Sequence, residues 1–190
     1  MPQAKPFAER VWEKQQDRIN IWYKNFPHFQ LRVFQNPLPD MENSGQYSGN
    51  VFFVIRDAAG KIRNGRPAEF IEYYPTAATA KKEAEKKFAE MVRRISVEAK
   101  NLKDFPWKRK EDFWPTKRRV FHYGKHMKYL SANVFRGPKK YKDRWVVLVN
   151  FTALGDPFLL IDTRPRLREA KIRADKLLAQ AAREIAKEIR

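Results

Sequence analysis

Two stretches of this chain describe the same local event, and no other feature constrains its fold as much. FIEYYPT (70–76) runs straight into a helical pattern, and FLLIDT (158–163) does so again. Thr76 and Thr163 lie 87 residues apart, while the apolar helix positions match at an offset of 90: Ala80 with Ala170, Ala84 with Ala174, Ile95 with Ile185, Ala99 with Ile189. The pattern therefore predicts a strand–strand–helix unit present twice, with a short gap between the copies. Each helix has one apolar stripe and each sheet one apolar face, so each helix can cover its own sheet.

The other elements follow from periodicity. Residues 6–25 place Phe7, Val11, Ile19 and Trp22, with Phe26 just beyond, near one helical face, which predicts an amphipathic helix. Strands are expected at 28–35, 51–56 and 68–74, with a Pro/Asn/Ser/Gly-rich loop at 36–50 and turns at 57–60 and at Asn64-Gly65. A helix is expected from Ala77 to about Leu102, capped by Thr76 or Thr79. Further strands are read at 118–123, 128–136, 145–152 and 158–162, with Gly124 and Gly137-Pro138 as breaks, before a last helix that Thr163 opens. The fold class expected is α+β: two tandem antiparallel-sheet-plus-helix repeats with an added N-terminal helix. Residues 1–100 would form the first part, 101–117 a linker rich in proline, aromatic and basic residues, and 118–190 the second repeat.

Charge points to the partner. Residues 1–100 carry a net charge of +5 and residues 101–190 carry +13. Between Trp107 and Arg144 alone there are thirteen Lys/Arg against three acids, interleaved with eight aromatic residues. Cations meet phosphates and release counterions, and aromatic faces stack on bases, so the mixture suits nucleic acid. The bland alternative is a solvated basic loop whose rings belong to the core. The phosphate-binding candidates are Lys108, Arg109, Lys110, Lys117, Arg118, Arg119, Lys139, Lys140, Lys142 and Arg144. The stacking candidates are Trp107, Trp114, Tyr123 and Tyr141, although Trp107 and Trp114, beside Pro106 and Pro115, could equally pin a linker onto the core. Lys81, Lys82, Lys86 and Lys87 crowd the start of the first helix, where the macrodipole favours acids, so an external anion or pairing with Glu83, Glu85 and Glu90 must answer them.

Chemistry finds little to work with. Cysteine is absent, which excludes disulfides and thiolate sites. His122 and His126 have a spacing that could hold a metal on a helix, but Gly124 and β-prone neighbours place them on a strand. Asp156, Asp162, Glu169 and Lys171 could be drawn as a metal-dependent nuclease cluster, yet Asp156 sits in a Gly-Asp-Pro turn and Asp162 precedes a helix, which explains both acids locally. No cofactor is expected, and no stretch approaches the roughly 18 apolar residues of a membrane span. A soluble, cytoplasmic protein, or one kept wherever nucleic acid is held, is the expectation.

Two family resemblances bear on this reading. Residues 6–95, with TAKKEAEKKFAEMV at 79–92, resemble the double-stranded-RNA-binding domain in element order and in the basic start of its last helix. That resemblance implies that Lys81 and Lys82 grip phosphates across the major groove. VIRD at 54–57 and PTAATAKKEA at 75–84 are similar to the AP2 and integrase-arm fold, which implies a sheet laid in the major groove and backed by a helix. The expectation is thus a non-catalytic DNA- or RNA-binding protein. The rivals are a structural subunit of a ribonucleoprotein or nucleic-acid-processing complex, a metal-dependent nuclease, and a basic inhibitor of a nucleic-acid enzyme.

Overall fold

In the computed structural model the residues described are 7, 10–15, 20–37, 42–56, 61–113, 119–137, 144–152 and 160–189, with the backbone alone at 63–64, 111–113, 119–120 and 160. They form a mixed α+β protein of two compact units: residues 1–93 with 185–190, and residues 94–184.

The first unit holds strands β1 (Glu13–Lys14), β2 (Ile21–Asn25), β3 (Phe29–Gln35), β4 (Tyr47–Arg56) and β5 (Ile62–Tyr74), an antiparallel meander in which each strand pairs with the next. Helix α1 (Ala77–Lys100) follows, with residues 77–93 in this unit and its start capped by Thr76, whose Oγ1 accepts the Thr79 N–H at 3.2 Å. The register places Trp22, Lys24, Leu31, Val33, Val51 and Phe53 on one face of the sheet. Phe26 and Phe29 meet Phe88 of α1 at ring-centroid distances of 4.4 and 5.0 Å, and the stripe Ala80, Ala84, Phe88, Met91 and Val92 is buried.

The second unit has β6 (Lys108–Phe113), β7 (Arg119–His126), β8 (Leu130–Arg136), β9 (Trp145–Phe151) and β10 (Leu160–Arg164), again a five-stranded antiparallel meander, followed by helix α2 (Leu167–Ala186). Leu130, Ala132, Val134, Val147, Val149 and Phe151 lie fully buried on the face turned toward α2, which buries Ala170, Ala174, Leu177, Leu178, Ala181 and Ala182. No described helix is long and apolar enough to cross a membrane.

Several expectations need correction: the linker expected at 101–117 contains strand β6, and the loop expected at 36–50 gives way to β4 from Tyr47. The N-terminal helix assigned to 6–25 is replaced at 13–14 and 21–25 by β1 and β2, so the first described helix is the one that follows β5. Lys24 explains the misreading: it is 5% exposed and faces α1, so a buried charge interrupts the apolar alternation by which a strand is recognised. The turn expected at Asn64-Gly65 lies inside β5, opposite Ile55 and Val54. Gly124, expected to break a strand, sits within β7 between Lys108 and Asn133.

Candidate nucleic-acid interface

Strand β6 is the edge of the second sheet, and its sequence KRKEDF is polar in both alternating positions, as an exposed edge tolerates. Pairing with β7 sends Lys108 and Lys110 to the face away from α2, beside Gly124 and His122, and turns Arg109 to the helix side opposite Tyr123. Lys108, Arg109 and Lys110 are all exposed.

On the face away from α2 the ring of His126 lies back over Gly124, where an added Cβ would come within 2.5 Å of Nε2, and Lys110 Nζ stands 3.3 Å from that same nitrogen. Burial lowers the His126 pKa below 6.5, and Lys110, His122 and Lys108 each lower it further. The register also places Asp112, whose backbone alone is described, on this face. The centre of the face, at Ser131, Val146, Leu148 and Asn150, is buried, while the β6–β7 margin and, on β10, Ile161 are exposed.

On the helix side, the Arg109 guanidinium carbon lies 4.0 Å from the centroid of Phe121, which is 42% exposed. Lys171 of α2 projects over Tyr123 at 3.9 Å and over Trp107 at 5.8 Å, and burial lowers its pKa. Lys125 Nζ, 5.3 Å from the Trp107 centroid, pairs with Asp175 at 2.8 Å and donates to the Leu102 carbonyl at 3.1 Å.

The first unit holds a similar set of groups. Lys24 pairs with Glu85 at 2.9 Å, Trp12 Nε1 donates to Glu85 at 2.8 Å, and Lys81 lies over Trp22 and Trp12 at 4.6 and 5.6 Å. Desolvation, and secondarily Lys14, lower the Lys81 pKa. Lys24 thus corresponds to Lys125, Glu85 to Asp175, Lys81 to Lys171, Trp12 to Trp107 and Trp22 to Tyr123. Sequence reasoning missed this arrangement, because each lysine is held by a ring from a distant strand. On the other face of the first sheet, Arg32 stands between Tyr23 and Phe52 at 5.2 and 4.6 Å, again without a local signal.

The sequence-derived candidates are therefore divided. Lys108 and Lys110 share one face, whereas Arg109, Trp107 and Tyr123 share the other. Lys82 and Lys86 are exposed on α1, the latter 3.7 Å from Glu83, while Lys81 is half-buried under its rings. Arg144 is exposed just before β9. Arg119 opens β7, with only its backbone described. Trp114, Lys117, Arg118, Lys139, Lys140, Tyr141 and Lys142 lie outside the described residues. Of the nuclease cluster, Asp156 is also outside them, and Asp162 is bound by Arg164 and Arg173, whose hydrogen bonds and charge, with the Thr163 N–H, outweigh burial and lower its pKa. Glu169 faces Arg166 at 3.8 Å and Lys171 faces its two rings, so these groups do not gather. Among the described residues no cluster of three potential metal ligands forms, and His28 is tied to the buried Glu188.

No family model, curated protein or solved structure matches the chain.

Proposed function

We propose that this is a non-catalytic nucleic-acid-binding protein that grips the phosphate backbone of DNA or RNA through the β6–β7 margin of its second unit. The carrying observation is the exposed Lys108 and Lys110, set on that face beside His122 and His126. Lys110, His122 and Lys108 each oppose protonation of His126, a repulsion among cations that a polyanion beside them would relieve. Topology supports the reading. Arg119, Arg136 and Arg144 stand where β7 begins, β8 ends and β9 begins, all at one end of the sheet. Binding by a sheet backed by a helix is also what the likeness to the AP2 and integrase-arm fold implies.

The two units are further proposed to be tandem repeats, on the strength of their shared strand order and the paired lysine–carboxylate–ring arrangement. The workplace proposed is the cytoplasm, or wherever nucleic acid is held. A second reading, a subunit of a larger nucleoprotein complex, is favoured by Phe70 and Tyr73 on edge strand β5, 71% and 43% exposed, which suit a protein partner.

The test is fluorescence anisotropy with single- and double-stranded DNA and RNA at two salt concentrations. Binding that weakens steeply with salt is expected. Weak, salt-insensitive binding to all four ligands would overturn the proposal.

A further inference from the structure

Along the helix side of β6 the second unit carries an open groove of about 710 Å³, lined by Trp107 on one wall and by Leu167, Arg168, Lys171, Ile172 and Asp175 of α2 on the other. That size falls in the roughly 300–1,000 Å³ range of small-ligand pockets. Its chemistry is mixed in a particular way. Trp107 supplies a half-buried indole, and Ile172 is 49% exposed although it belongs to a helix whose other apolar residues are almost all covered. Arg168 is exposed beside them. Asp175, the one acid among the described lining residues, is paired with Lys125 at 2.8 Å, and Lys171 lies over Tyr123, so the exposed Arg168 is the cation a ligand would meet. Flat apolar surface with a cation next to it matches a nucleobase carrying its phosphate, and matches a purely apolar ligand poorly.

We infer that this groove receives one unpaired nucleobase of a single-stranded nucleic acid, stacked against Trp107 and Ile172, with the adjoining phosphate held by Arg168. The inference rests on the proposed function and deepens it. Trp107 directly precedes Lys108 on the edge strand, so a backbone running along Lys108 and Lys110 passes the mouth of the groove and can turn a base around the edge. A duplex keeps its bases stacked inward and cannot do so without unpairing. The margin alone would bind both forms; the groove adds a preference for single strands. The equivalent positions of the first unit, at the offset of 90, are Ala77, Ala78 and Lys82 in place of Leu167, Arg168 and Ile172, so the preference belongs to the second unit alone.

The experiment measures anisotropy of the intact protein with a single-stranded oligonucleotide, an abasic strand of equal length and the corresponding duplex, as DNA and as RNA, at one salt concentration. The base-bearing strand is expected to bind on the order of tenfold tighter than the abasic strand, the worth of one stacked base. Trp107→Ala should lower the ratio of single-strand to duplex affinity, Trp107→Phe should restore most of it, and Arg168→Gln should weaken the base-bearing strand. Equal binding of base-bearing and abasic strands would overturn the groove while leaving phosphate binding intact. Absence of salt-sensitive binding to every ligand would instead overturn the function on which it rests. The abasic comparison uses the unaltered protein, so it decides even where a tryptophan variant folds poorly.

Discussion

Lys125 and Asp175 form an ion pair of 2.8 Å in which the lysine side chain is 5% exposed and the carboxylate 36%. The lysine is therefore committed and the carboxylate only half so. Removing the acid strands a buried ammonium whose remaining partners are the Leu102 carbonyl and the Trp107 ring. Asp175→Ala should cost about 2–3 kcal/mol, toward the low end for a broken buried pair because water can reach the site. The double substitution Lys125→Met with Asp175→Leu should return to within about 1 kcal/mol of the parent, since it removes the charge as well as its partner. Urea unfolding of the three proteins checks both figures.

His126 gives the protein a pH dependence of known sign. Its pKa in the folded chain is depressed by burial and by Lys110, His122 and Lys108, so the folded state binds this proton less readily than the unfolded state does. Stability from this site is therefore complete above the ordinary value near 6.5 and is lost as the pH falls through the depressed one. Nucleic-acid affinity should move the other way, because a phosphate beside the ring favours the imidazolium. Thermal unfolding and anisotropy between pH 7.5 and pH 5 should show stability falling while affinity rises, and His126→Gln should flatten both trends.

Several elements could be read from the residues alone. The stripes of α1 and α2 and the alternation of β3 follow one period each, and their buried positions are the ones periodicity marks. The strands β2 and β7 were harder, because Lys24 and Lys125 occupy core-facing positions and their partners Glu85 and Asp175 lie about 50–60 residues further on. β6 escaped for the opposite reason: an edge strand with cations on both faces carries no apolar alternation, so KRKEDF read as linker. The basic and aromatic character of 107–144 was legible, but its division between two sheet faces was not, since that depends on the pairing of Lys108 with Gly124. Ile172 was overlooked because it falls off the buried stripe of α2, the very property that makes it available to a ligand.

Two glycines separate a cheap clash from a costly one. At Gly124 an added methyl group would meet the ring of His126, a side chain that can swing away. Gly124→Ala should therefore cost less than about 1 kcal/mol, yet it should release His126 from Lys110 and bring its titration back toward 6.5, observable by NMR. At Gly49 the same methyl group would run into the backbone carbonyl of Arg32 on the paired strand β3. No rotamer relieves that, so Gly49→Ala should cost about 2–3 kcal/mol in urea or thermal unfolding.

The lysines divide into those that can meet a polyanion and those already employed. Lys108 and Lys110 are exposed, and each alanine substitution should lower affinity and reduce the slope of log K against log salt by about one. Lys81 was a candidate of equal standing in the sequence, but its ammonium lies 4.6 Å from the Trp22 ring and is partly desolvated. Lys81→Ala should leave the salt slope within error of the parent and instead lower stability by about 1 kcal/mol through the lost ring contact. Titrations of the three variants at four salt concentrations, with a melting curve for each, separate the two kinds of lysine. A slope reduced by one in Lys81→Ala and unchanged in Lys108→Ala and Lys110→Ala would move the interface from the β6–β7 margin to the start of α1.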